Sequence, residues 1–303
     1  MTTGTITADV AGTWQLGDLT VNRLGFGAMR IPGGVDHTAN RERSVAVLHR
    51  LLDLGVNHID TAAFYFSPLL SANELINSTL RAHYAELVIT TKVGASRTLS
   101  GEFVFARPQD LRGEVLENLR QLGRDHLDVV NYRVGRGMDK PTGSIADGFA
   151  ELAKLREEGL IRHLGLSNIG PEHLAEAQAI APVVCVQNMY GLGLRGDDEL
   201  LRLCGEQGVA FVPFFALAHA DPASTPVRFD GVQEVDGDVI ADVAAAHGAT
   251  PAQIRLAWTL AQGDHVLAIP GTGDPAHLEE NVAAGALRLT DDELHRLSTA
   301  VRS

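Results

Sequence analysis

Eight short runs of apolar and β-branched residues recur along the chain, separated by longer runs with helical spacing, and this alternation restricts the fold more than any other feature. The strand-like runs are VNRLGFG (21–27), VNHID (56–60), LVITTK (87–92), LDVVNYRV (127–134), RHLGLS (162–167), VVCVQN (183–188), VAFVPFF (209–215) and HVLAIP (265–270). Between them lie amphipathic stretches such as RERSVAVLHRLLDLG, LRGEVLENLRQLG and IADGFAELAKLREEG. Several end on a glycine suited to a left-handed C-cap: Gly55, Gly123 and Gly159. Thr250-Pro251 and Gly170-Pro171 supply helix-opening chemistry. Strands of near-continuous apolar character belong in a parallel sheet covered on both faces. Eight of them, each followed by a helix, predict a (β/α)8 TIM barrel. TWQLGDLTV (13–21) alternates apolar and polar residues about Gly17-Asp18, which predicts a β-hairpin ahead of the barrel and covering one of its ends. Two adjacent helices at about 236–247 and 251–262 and a last one at about 291–301 add extra C-terminal helices. At 303 residues the whole chain, 1–303, fits one such domain.

The formal net charge of −13, with Lys and Arg scattered, argues against the basic face that nucleic acid or an anionic membrane requires. No stretch approaches the roughly 18 apolar residues of a membrane span. The start, MTTGTITADVAG, lacks the charge and apolar core of a secretory signal. Cys185 and Cys204 sit in apolar runs and read as reduced core thiols, so a cytoplasmic location is expected.

In a barrel of this kind chemistry gathers at the C-terminal strand ends. Those ends carry Asp60, Lys92, Arg133, Ser167-Asn168, Gln187-Asn188 and Gly271-Thr272. Tyr65 follows Asp60 by five residues. A free phenol has a pKa of ~10, and a neighbouring ammonium lowers it. Asp60 and Lys92 end successive strands, so a carboxylate could hold the ammonium beside the phenol and tune it as a proton donor. Equally, Asp60 and Lys92 could be a buried pair with Tyr65 packing on the loop; spacing alone leaves both open.

NRLGFGAM (22–29), GVNHIDTAAFY (55–65), ITTKVG (89–94), IRHLGLSN (161–168), VCVQNMY (184–190) and IPGTGDPAHLEENVAA (269–284) stand in the order and spacing of the aldo-keto reductase superfamily, which the chain resembles over nearly its whole length. The resemblance implies a barrel that binds NADPH without a Rossmann domain, NADH not being excluded, and that reduces a small-molecule carbonyl substrate. It implies Asp60, Tyr65, Lys92 and position 133 as catalytic. Position 133 is Arg133 where the family has histidine. A permanently charged planar donor there could polarise the carbonyl, hold an anionic substrate group, or pair with a carboxylate in the barrel. The strand ending Asn-x-Arg, with VCVQN and VPFF, is similar to a bacterial pyridoxal reductase-like subgroup, implying an aromatic aldehyde as substrate. Phe66 departs from the usual glycine after the tyrosine.

For the cofactor, the resemblance implies Met29 in the first strand-end segment, Ser167, Asn168 and Gln187 at the nicotinamide carboxamide, and Phe214 stacked on its ring. It further implies Ala216, Leu217 and Ala218 along the pyrophosphate and Gly271, Thr272 and Gly273 at a phosphate-binding helix start. Glu280 and Asn281 would lie at the adenine. His277 stands where many members carry an arginine for the 2′-phosphate. The loops near 29–40, 64–72, 135–144 and 218–236 are expected to line the substrate pocket. GLGLRG (191–196) matches G-x-G-x-x-G, but NMY separates it from its strand, so a mouth loop is expected rather than a dinucleotide turn. No metal site is expected, since the histidines and cysteines lack ligand spacing. The competing class is a barrel that binds NADPH without turnover and acts as a redox-sensing subunit, an alternative that Arg133 keeps open. Oligomeric state is not encoded in any of these features.

Overall fold

The computed structural model describes residues 6–33, 41–98, 100, 102–217 and 233–301. The predicted hairpin forms from β1 (Thr13–Leu16) and β2 (Leu19–Asn22), antiparallel and joined at Gly17-Asp18, with Gly17 at a φ of 65°. The run read as 21–27 is therefore divided. Its first residues belong to the hairpin, and the barrel strand proper is the short β3 (Phe26–Gly27).

Then come α1 (Arg41–Asp53), β4 (His58–Asp60), α2 (Ala72–Leu80) and β5 (Val88–Val93). A rim hairpin follows, β6 (Ala95–Arg97) with β7 (Phe103–Phe105). The alternation continues with α3 (Leu111–Leu122), β8 (Leu127–Arg133), α4 (Ala146–Glu157), β9 (Ile161–Ser167) and α5 (Pro171–Gln178). It ends with β10 (Val183–Gln187), α6 (Asp198–Glu206), β11 (Ala210–Phe211), α7 (Gly237–His247), α8 (Pro251–Leu260), α9 (Pro275–Ala283) and α10 (Asp291–Thr299). Gly123 caps α3 with the expected left-handed conformation, and Thr250 and Gln253 form a reciprocal capping box on α8.

Seven parallel strands run in the order β11-β10-β9-β8-β5-β4-β3. Residues 265–270 close the ring through bridges rather than a regular strand: Phe211 pairs with Val266, and Leu24 with Ala268. The amide of Leu267 donates to Phe211 O at 2.9 Å, and that of Gly25 to Ala268 O at 2.8 Å. The eighth stave is thus present and the sheet is a closed barrel. Most buried side chains fill the layer between the sheet and the helices.

Because side chains alternate along a strand, every second residue points into the barrel, and the interior is built in layers. The lowest is apolar: Val88, Val129, Cys185, Ala210, Val212 and Leu267, plugged from beneath by Leu16 and Val21 of the hairpin. Asp18 at the hairpin turn pairs with Arg162 and His163 at the start of β9, so the hairpin covers the N-terminal end. Two residues further along come His58, Thr90, Asn131 and Gly165, joined by His58 Nε2 to Thr90 Oγ1 at 3.1 Å and by Cys185 Sγ donating to Asn131 Oδ1 at 3.2 Å. The same alternation then delivers Asp60, Lys92, Arg133, Ser167 and Gln187 to the upper mouth.

Candidate active site

Lys92 Nζ donates to Asp60 Oδ1 at 2.5 Å and to the carbonyl of Thr61 at 3.0 Å, and both charged side chains are almost fully buried. Gln187 Nε2 donates to the other Asp60 oxygen at 2.7 Å. Asp60 therefore receives a donor on each oxygen, one from the neighbouring strand β5 and one from β10 across the barrel. Tyr65, partly open to the mouth, lies with its ring centroid 4.9 Å from the Lys92 ammonium. Phe64 packs edge-on against Tyr65 at 5.0 Å. The expected meeting of phenol, ammonium and carboxylate is present in the geometry.

The electrostatics differ from expectation in one respect. Burial pushes the Tyr65 phenol above its ordinary value, and the opposing pull of Lys92 and Arg133 does not overcome it. Burial likewise disfavours the charged form of Lys92, but the Asp60 carboxylate and the hydrogen bond to it raise it above the ordinary lysine value. The arrangement that results is a protonated phenol beside a charged ammonium.

Arg133 is buried, and no carboxylate of the described residues pairs with it. Its Nη2 donates to Gly137 O at 2.5 Å, its guanidinium lies 5.3 Å from the Phe214 ring, and its Nη1 is buried with no acceptor. Burial lowers its pKa to about 10, so it stays charged at neutral pH.

Arg133, Ser167 and Gln187 are register partners across β8, β9 and β10. Each has a buried polar atom without a partner: Arg133 Nη1, Ser167 Oγ and Gln187 Oε1. A native interior seldom leaves such a row unpaired. A hydroxyl donor beside an amide acceptor suits a ligand carboxamide, the group expected here. Asn168, at a φ of 65°, spends its Nδ2 on the carbonyls of Val134 and Asp139. Asn188 holds that turn, accepting from the amides of Asn168 and Ile169 and donating to Ile169 O and Asp197.

Phe214 bridges to Met189 beside Arg133, with Ala216 and Leu217 just beyond; Ala218 lies outside the described residues, as does most of the loop expected at 218–236. Gly27 and Gly271 approach so closely that a Cβ on Gly271 would lie 2.5 Å from Gly27 O. Thr272 Oγ1 and Asp274 cap the start of α9, and Gly273 lies between them. Asn281 is buried, whereas Met29, His277 and Glu280 are exposed. GLGLRG is a turn closed by the Gly191–Leu194 bridge and leading into α6.

Two further groups were not legible in the chain. Thr61 and Thr91 hydrogen-bond to Asn73 and Asn118, which are bonded to each other at 3.1 Å, so α2 and α3 together brace the end of β4 and the Lys92 strand. Arg97 stands at the rim with its guanidinium 5.6 Å from Phe66 and 5.9 Å from Phe103 and its Nε unpartnered. The only hint in the sequence was an arginine in a mouth loop.

Residues 23–302 match the model of the Aldo/keto reductase family, and the chain belongs to that family; it is an NAD(P)H-dependent oxidoreductase. It is similar to a pyridoxine 4-dehydrogenase of Escherichia coli (strain K12), 41% identical over 95% of this chain and 97% of the relative. An uncharacterised oxidoreductase of Schizosaccharomyces pombe is 36% identical over 98% of this chain and 92% of its own length. Among solved structures, a thermostable aldo-keto reductase in complex with the inhibitor epalrestat superposes with a TM-score of 0.77 at 27% identity, covering 95% of this chain and 99% of that one. A Klebsiella pneumoniae aldo-keto reductase in complex with NADPH gives 0.72 at 26% identity, covering 94% and 95%.

Proposed function

We propose that the protein reduces an aromatic aldehyde, with pyridoxal the first candidate, to the alcohol using NADPH, and that Tyr65 is the proton donor. The observation that carries this is the phenol–ammonium–carboxylate arrangement set beside three unpartnered polar atoms on consecutive strands. Bound NADPH supplies hydride to the carbonyl carbon. Ser167 and Gln187 would hold its carboxamide, Phe214 would flank the ring, and the backbone of 271–273 with the α9 start would receive a phosphate. NADH is not excluded, since His277 stands at the position expected to meet a 2′-phosphate.

Charge builds on the carbonyl oxygen as its carbon accepts hydride, and Tyr65 gives that oxygen its proton. Lys92 stabilises the phenolate left behind, and Asp60 keeps Lys92 charged and aimed. Arg133 directs an N–H to the same oxygen, in place of the family histidine. Aromatic walls at Phe64 and Phe66 favour a planar substrate, and the name of the E. coli relative supports a pyridine aldehyde. The free, buried cysteines Cys185 and Cys204 fit a reducing, cytoplasmic setting.

Loss of reduced-nicotinamide absorbance on adding pyridoxal and a panel of neutral aldehydes, with NADPH and NADH in parallel, tests this. Turnover is expected with NADPH. Tight cofactor binding without turnover on any carbonyl would instead assign the protein to the cofactor-sensing class.

A further inference from the structure

We propose that the pocket selects carbonyl compounds carrying a negatively charged oxygen on the atom next to the carbonyl-bearing one, and that Arg133 reads that oxygen. This rests on the reductase reading above and adds to it a rule of substrate choice.

Arg133 is only 9% exposed and lacks a counter-charge among the described residues. Leaving a buried charge unpaired is costly, so an anion completing it is held strongly. The guanidinium is already oriented, since Nη2 is anchored on Gly137 O and the plane lies against Phe214. What remains is Nη1, which bears two N–H groups and has no acceptor. One N–H can meet the reacting carbonyl oxygen and the other an oxygen beside it. An ortho-oxido aldehyde presents both oxygens on one edge, much as a carboxylate does to an arginine. A histidine at this position offers one N–H in that direction and could not serve both.

A second cation points the same way. Arg97 also has no acid partner among the described residues and lies between Phe66 and Phe103 at the rim. Two guanidinium groups without an acid partner among the described residues are unexpected in a chain with a formal net charge of −13. The aromatic neighbours limit the ligand to something flat, so the class is an aromatic aldehyde with an adjacent phenolate.

The test compares kcat/KM for salicylaldehyde, 2-methoxybenzaldehyde, 4-hydroxybenzaldehyde and 4-nitrobenzaldehyde at a pH where the phenols are ionised. The methoxy compound keeps the ortho oxygen without its charge, and the para isomer keeps the charge in the wrong place. Wild-type protein should prefer salicylaldehyde to both by roughly 10–100-fold, the worth of a charge-assisted hydrogen bond. Arg133→Leu should bring both ratios close to one, and Arg133→Lys, keeping charge without the fork, should restore part of the preference. The wild-type ratios decide even where a variant fails to fold. Reduction of 4-nitrobenzaldehyde with no ortho preference overturns this proposal and leaves the reductase reading standing; NADPH oxidation with none of the four overturns both.

Discussion

A phenol that must release a proton to a carbonyl oxygen has to keep that proton until hydride arrives. In the role proposed for it Tyr65 would do so, because burial holds its pKa above the ordinary value while the Lys92 ammonium lies beside its ring. Tyr65→Phe should therefore lower kcat by roughly 10²–10⁴-fold with little change in NADPH affinity, measured by steady-state kinetics and cofactor-fluorescence titration. Wild-type turnover in that variant would remove Tyr65 from the chemistry. His58, in the layer below, gives a pH prediction of opposite character. Burial lowers its folded pKa from 6.5 to about 4. On acidification the unfolded chain takes up this proton near pH 6.5, the folded chain only near pH 4. The stabilisation is thus complete above pH 6.5, erodes between the two values and is gone below about 4, a total of about 3 kcal/mol. Thermal midpoints should fall over that interval, and fall less in His58→Gln.

The staves set the site by alternation, and two neighbouring elements fix its tightness. Gly165 of β9 faces Asn131 and Cys185 inside the barrel, and a Cβ there would lie 2.0 Å from Asn131 Oδ1 and 2.6 Å from Cys185 Sγ. Gly165→Ala should cost about 1–3 kcal/mol in chemical denaturation, because neither wall can retreat. On the outer side Asn118 of α3 serves Thr91 and Asn73 together. Asn118→Ala should destabilise by about 1–3 kcal/mol and also lower kcat, since it loosens the Lys92 strand. Elements such as these were unequally legible in the chain. The strand ends carrying Asp60, Lys92, Ser167 and Gln187 were readable because period-two spacing and apolar runs locate them without tertiary information. The division of 21–27 was not, since a hairpin strand and a stave share composition and differ only in their partners. The closing segment 265–270 reads as a strand but pairs through isolated bridges. Arg97 and the Asn73–Asn118 brace escaped notice because their meaning lies in contacts between loops and helices far apart in sequence. The sign of the Tyr65 shift also needed the fold, because desolvation depends on what covers the ring.

At the scale of the whole molecule, the net charge of −13 works against an anionic cofactor approaching from a distance, whatever cations wait at the mouth. Raising ionic strength from about 10 mM to about 150 mM shortens the screening length from about 30 Å to about 8 Å. KM for NADPH should fall over this range while kcat holds, provided a chloride-free salt is used; a rising KM would show that local arginines dominate. The hairpin beneath the barrel has a further consequence for traffic. With Leu16 and Val21 stoppering the floor, both guests would use the opposite entrance, and the proposed nicotinamide berth at Ser167 and Gln187 would lie at the inner wall of that vestibule. The first to arrive must be the first in and the last out, so the dinucleotide should load before the aldehyde and leave after the alcohol has gone.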